Sequence, residues 1–225
     1  AGLGAGGEDL LRLTEVPGAR RHRGTMGLYH FALLYPSRRE LARAIARLFA
    51  MRYPNAPTDH IISKTTYLDD VEGQNIELYV RSLEDGFFGT RNGQLVIERA
   101  DGTPSDGREP LDLDALFAHL QPDDSLDEPL PAGTALGHVH LYGNNLGASL
   151  HFYRDLLGFQ NFTNIPSFQM ADVSPNEKPH MIAWNAWQGP QAPPPPANAQ
   201  GIRYYTIVLP SPAERERVLE RVKAA

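Results

Sequence analysis

The 225 residues include no cysteine. Disulfides, thiolate zinc sites and cysteine nucleophiles are therefore excluded, and any metal would be held by nitrogen and oxygen from His, Asp and Glu. Long apolar runs are missing as well. No window of roughly 18 or more apolar residues occurs, so no segment reads as a membrane span. The opening AGLGAGGEDLL lacks the basic and apolar regions of a secretory leader, which makes cytoplasm the default location. Basic residues are in deficit, 21 Lys and Arg against 27 Asp and Glu, for a formal net charge of −6. That balance argues against nucleic acid as a partner.

What is present is a repeated grammar: an apolar strand, a short polar break, then a helical pattern. LYHFALLYPS leads into RRELARAIARLFA, whose apolar residues fall at helical spacing with arginines on the opposite face. LGHVHLYGNN leads into LGASLHFYRDLLGF, where Asn145 can cap the helix and Gly158 can end it. IRYYTIVLPS leads into AERERVLERV, again predicting a strand and a helix. After the first helix, KTTYL and NIELYV read as strands around the turn DDVEG; after the second come FQNFTNI, SFQMADV and HMIAWNAW, three short strands. The unit is therefore βαβββ, repeated in tandem, and the fold class α+β.

Residues 83–135, acidic and Pro-bearing, read as a solvated linker around one short helix near Leu111 to Leu120. The tract GPQAPPPPANAQG favours stiff, extended geometry. LLRLTEV at residues 10–16 is strand-like, and both ends of the chain read as cut through a module.

Three residues in these strands ask for an explanation. His30 sits in an otherwise apolar strand and needs a partner, whether a core hydrogen bond or a metal. Glu77, between Ile76 and Leu78, is costly to bury unless a cation compensates it; the alternative is a strand face open to water. His138 and His140, two residues apart, face the same side of their strand, and either could be a ligand.

LGHVHLYGNNLGASLHFYRDLLGF resembles the opening of a module of the vicinal oxygen chelate superfamily of glyoxalases, bleomycin resistance proteins and extradiol dioxygenases. The succession EVPGA, GLYHFALLYPS, TDHIIS with NIELY, LGHVHL, NAWQG with APPPP, and RYYTIVLP resembles the two-domain bacterial catechol 2,3-dioxygenases nearly end to end. Such proteins have four modules. The resemblance implies that residues 1–82 hold the remainder of module 1 and all of module 2, residues 83–135 a linker, and residues 136–225 module 3 and the start of module 4.

The activity implied is extradiol ring cleavage of a catechol at a 2-His-1-carboxylate site, with Fe(II) the expected metal and Mn(II) the alternative. The ligands implied are His30, Glu77 and His138, with His140 lining the pocket or bonded within the core. Tyr204 or Tyr205 stands where a module 4 ligand would be, which places the implied site with modules 2 and 3. Tyr67 matches the family tyrosine that contacts the catechol oxygen, and His60 resembles its proton-shuttling histidine. His180, read as lying in the last strand of module 3 in the position of Glu77, is expected to donate a hydrogen bond to substrate or oxygen; its other reading is an exposed strand-end histidine. Trp184 and Trp187 could line an apolar pocket. His22, His119 and His151 carry no assigned role. The usual Asp-Pro-Asp-Gly-Asn-Gly turn reads Asp70-Val71-Glu72-Gly73-Gln74-Asn75, a change that keeps the turn. The partners implied are a small aromatic diol and O₂, with a homo-oligomer as a further expectation. Three other readings stand beside this one: a metal-free binding protein of the bleomycin-resistance kind, a glyoxalase-type metal enzyme, and a chain inactive for want of its outer strands.

Overall fold

The computed structural model of the protein describes residues 1–176 and 180–225. The chain forms two compact units, one of residues 1–15 and 30–137, the other of residues 16–29 and 138–225.

The first unit begins with a short antiparallel pair, β1 (Gly2–Gly4) and β2 (Asp9–Arg12). β2 stops before the expected limit of residue 16. β1 offers three residues of ladder interrupted by a bulge, and Leu13 and Val16 are left exposed. A βαβββ unit follows: β3 (Gly27–Leu34, entered from the second unit), α1 (Arg38–Ala50), β4 (Ala56–Asp59), β5 (Ser63–Asp69) and β6 (Asn75–Arg81). Ser37 caps α1 by accepting from the Glu40 N–H, and Glu40 in the first turn with Arg47 in the last complements the helix dipole.

β6 runs parallel to β3 and antiparallel to β5, giving the order β3-β6-β5-β4. Strand alternation then divides β6 in two. Leu78 and Val80 turn toward Leu41, Ala42 and Ile45 of α1, with Ile76 packed at the edge of that core, while Asn75, Glu77 and Tyr79 occupy the opposite face. Arg43 departs from the expected arginine-out pattern. It is buried, with its guanidinium paired to Glu40 and Glu128, so its stem covers apolar surface while its charge is compensated.

Residues 83–135 hold more than the expected linker with one helix. The short helix exists as α2 (Leu113–Phe117), capped by Asp112. Beside it stand an antiparallel hairpin, β7 (Gly86–Arg91) with β8 (Gln94–Arg99), and a two-residue strand β9 (Glu109–Pro110) added to β4. The hairpin turns at Asn92-Gly93, both at positive φ, the geometry that two-residue hairpin loops demand.

The second unit contains β10 (Ala135–Tyr142, leaving the first unit after Gly137), α3 (Leu146–Leu150), β11 (Gln160–Ile165), β12 (Met170–Ser174) and β13 (Ile182–Asn185), with strand order β11-β12-β13-β10. Asn145 caps α3 at 2.9 Å through the Ala148 N–H, the helix widens into a π-helical turn over His151–Leu156, and Gly158 ends it at φ +87°. The stretch 202–209, expected as a strand, is not one. It has no ladder partner among the described residues, and Tyr204 and Val208 are exposed. A lone strand leaves its N–H and C=O groups to water, so the segment stays irregular. The helix after it is present as α4 (Pro212–Ala224), with Ser211 as cap and Pro212 opening it. Among the described residues no helix is long and apolar enough to cross a membrane.

Candidate active site

In the first unit, the parallel register that sets Ala32 against Glu77 and His30 against Asn75 puts His30 and Glu77 on one face of the sheet. That is the face turned away from α1. His30 Nε2 lies 3.2 Å from Glu77 Oε2, and each residue is 4% exposed. Thr65 Oγ1, on β5, is 3.0 Å from both Glu77 Oε1 and the Leu78 carbonyl, one proton for two acceptors. The carboxylate therefore has one oxygen beside a hydroxyl and the other beside an imidazole. Tyr79 shares this face; burial first, with the Glu77 charge in support and Arg81 opposing, pushes its phenol up to about 12.

Tyr67 follows Thr65 on the same face of β5, its ring centroid 5.7 Å from that of His30. The Tyr67 hydroxyl is 2.9 Å from His60 Nε2, and His60 Nδ1 is 2.6 Å from the Gly107 carbonyl oxygen. His60 occupies the turn between β4 and β5. The next residue, Ile61, has φ +68°, a conformation that a β-branched side chain adopts only under strain. It is held there because its N–H donates to Asp59 Oδ1 at 2.7 Å and its carbonyl accepts from Ser82 Oγ at 2.8 Å.

In the second unit, His138 is buried on β10 and its ring meets that of His180 edge-on at 4.5 Å. His180 Nδ1 is 3.1 Å from Asp172 Oδ2, and the buried Asp172 accepts from the Thr163 N–H at 2.8 Å and the Thr163 hydroxyl at 2.7 Å. His140, also buried, has Nε2 at 2.9 Å from Asn185 Nδ2, while Asn185 Oδ1 accepts from the Trp187 N–H at 3.1 Å. With its oxygen so engaged, the Asn185 amide donates to His140.

Two expectations need correction. His180 does not lie in a strand: β13 begins two residues later, at Ile182, and the parallel register sets Ala183 against His140 as Glu77 is set against Ala32. Ala183 is thus the counterpart of Glu77. Trp184 does not line a pocket beside the histidines. It pairs with Leu141, so alternation turns it to the other face of the sheet, where it is 1% exposed and stacks on Tyr153 at 5.1 Å. Trp187 is the tryptophan near that face, in ring contact with His140 and Tyr29.

Sequence reasoning passed over Thr65, Gly107 and the Asp172–Thr163 pair. Asp172 was open to the argument applied to Glu77, an acid inside an apolar strand. Thr65 and Gly107 carried no comparable signal, because their roles depend on what the fold sets opposite them.

Residues 135–225 match the family model of the Glyoxalase/Bleomycin resistance protein/Dioxygenase superfamily. A curated relative, the catechol-2,3-dioxygenase of Bacillus subtilis (strain 168), is 36% identical over 218 residues, covering 96% of this chain and 73% of the relative. The chain belongs to this superfamily. Among solved structures, a candidate dioxygenase from Bacillus subtilis aligns at a TM-score of 0.44 and 12% identity over 75% of this chain, which spans only 44% of that structure. Glyoxalase I from Zea mays aligns at a TM-score of 0.21 and 13% identity over 71% of this chain and 67% of that one. The mixed α+β architecture with few helices is consistent with the superfamily fold.

Proposed function

We propose that the protein is an extradiol dioxygenase that adds O₂ to a catechol-type substrate at a metal site held by His30, Glu77 and His138. The reading assigns residues 1–82 and 136–225 to the modules and 83–135 to the segment joining them. The observation that carries it is the buried His30–Glu77 pair. A carboxylate this far from water needs a cation, and an imidazole beside it completes two thirds of a 2-His-1-carboxylate set. The 3.2 Å between His30 Nε2 and Glu77 Oε2 sets two donor atoms side by side, as a shared cation would require. The Asn185 amide occupies His140 Nε2, which favours His138 over His140 as the third ligand.

Fe(II), with Mn(II) as the alternative, would suit this N/O donor set and when bound would supply Lewis-acid and redox chemistry toward a catechol and O₂. The protein's own side chains do the rest. Tyr67 holds a catechol hydroxyl, and His60 behind it takes up the proton that hydroxyl gives away. His180, held by Asp172, offers a hydrogen bond to substrate or oxygen. The B. subtilis catechol-2,3-dioxygenase, at 36% identity, supports this class of reaction.

Anaerobic loading with Fe(II) tests the proposal. Stoichiometric iron in the wild type, lost in each of His30→Ala, Glu77→Ala and His138→Ala, together with catechol-dependent O₂ uptake, is the expected result. A folded wild type that binds neither Fe(II) nor Mn(II) overturns it.

A further inference from the structure

The segment read from sequence as a solvated linker is part of the first unit, and it meets His60 through the Gly107 carbonyl. Residues 103–110 are fastened on both sides. Toward the hairpin, the Arg99 N–H donates to Thr103 O at 2.9 Å and the Ser105 N–H to Ile97 O at 3.0 Å, while within the segment the Gly107 N–H donates to Ser105 Oγ at 2.9 Å. Toward the sheet, Glu109 pairs with Asp59 in the β9–β4 ladder, one residue before His60. Gly107 itself has φ +75°, and a Cβ there would come within 2.6 Å of Phe88 Cε2 and 2.9 Å of Ile97 Cδ1. A side chain at Gly107 would need Phe88 and Ile97 to give way. Between these fastenings the Gly107 carbonyl is an acceptor 2.6 Å from His60 Nδ1.

A carbonyl oxygen has no proton to give. The hydrogen bond therefore requires the proton to be on His60 Nδ1, and a neutral imidazole has only one N–H. Nε2 is then an acceptor, and the Tyr67 hydroxyl 2.9 Å away must be its donor.

We propose that Gly107 is a positioning residue whose carbonyl locks His60 in the Nδ1–H tautomer and so sets the direction of proton flow from Tyr67 to His60. The role rests on the reading that Tyr67 holds a catechol hydroxyl. When that hydroxyl ionises, its O–H bond breaks and its proton passes to Tyr67 Oη. The phenol's own proton moves at the same time to His60 Nε2. Substrate oxygen then carries the negative charge and the His60 imidazolium the positive one, with Nδ1–H still bonded to Gly107. The opposite tautomer would point an N–H at Tyr67 and leave no base to receive a proton.

The test is a two-bond ¹⁵N–¹H correlation spectrum of the histidine-labelled full chain at neutral pH, with the His60 signals identified by their loss in His60→Gln. The expected result is a protonated Nδ1 and a bare Nε2. A protonated Nε2, with or without a protonated Nδ1, overturns the proposal. Gly107→Val forces the loop to move, and the expected outcome is mixed tautomers with kcat for catechol lowered about tenfold or more at little change in KM. A folded Gly107→Val protein that keeps the Nδ1–H form and the wild-type rate also overturns it. If that variant fails to fold, the wild-type spectrum decides alone. The two proposals fail separately: a locked His60 in a protein that cleaves no catechol removes the proposed function, and an active enzyme with Nε2–H removes the lock.

Discussion

Tyr67 and Glu77 are direct cross-strand partners in the β5–β6 ladder. Opposed residues of an antiparallel pair project from the same face, so a phenol and a buried carboxylate share the face that also carries His30. The pairing places the proposed substrate-holding hydroxyl next to the proposed ligand without either residue depending on a loop. Tyr67→Phe keeps the ring and removes the hydroxyl. Its kcat for catechol is expected to fall about a hundredfold with iron content unchanged, measured by O₂ uptake and metal analysis.

Thr65 acts on the site through Glu77. Removing its hydroxyl frees Glu77 Oε1 to turn, and residues that orient a ligand typically account for about 10- to 100-fold in metal affinity. Thr65→Val keeps the shape of the side chain and is expected to weaken Fe(II) binding within that range. Competition with a metal chelator measures it, and an unchanged affinity would show that the Thr65 proton belongs to the Leu78 carbonyl instead.

Gly137 precedes His138, and a Cβ at Gly137 would overlap the hydroxyl and ring of Tyr79 in the first unit. Overpacking of this kind typically costs about 1–3 kcal/mol. Gly137→Ala is expected to lower the urea midpoint of the first unit accordingly, while Gly7→Ala, where a Cβ meets nothing within 4 Å, should leave it unchanged.

Alkaline pH should unfold the first unit through two phenols. Tyr35 and Tyr79 are both pushed from 10.0 up to about 12, chiefly by burial, with Arg43 opposing the rise at Tyr35 and Arg81 at Tyr79. The folded protein keeps protons that the unfolded chain gives up. Their contribution is therefore complete below pH 10.0 and is lost as the pH climbs to about 12, by up to about 3 kcal/mol each. Phenolate absorbance followed during denaturation at pH 9 to 12 checks this; two tyrosines ionising near 10.0 while the protein stays folded would contradict it.

What was legible in the sequence was local or periodic. Asn145 announces its helix, Gly158 announces an end, and the apolar spacing of α1 gives the face it buries. Glu77 and His30 stood out because a charged or polar group inside an apolar strand demands a partner, and the structure pairs them. Position relative to a neighbouring strand was not legible. Trp184 faces away from the histidines because of register, and the stretch 202–209 lacks a strand because strands are made by neighbours, not by composition. The hairpin of residues 86–99 carries a local signal in Asn92-Gly93 that the reading of 83–135 as a linker did not use.

Alternation along β6 ties the chemistry of this protein to its folding. If β6 slipped one residue against β3, Glu77 would be thrust under α1 among leucines and Leu78 would be turned to the face that now holds the imidazole. Such a mistake costs the core as much as it costs the site. A chain that has found its most favourable hydrophobic arrangement has therefore already delivered the carboxylate to the imidazole, and selection for a stable core proofreads the catalytic geometry as a by-product.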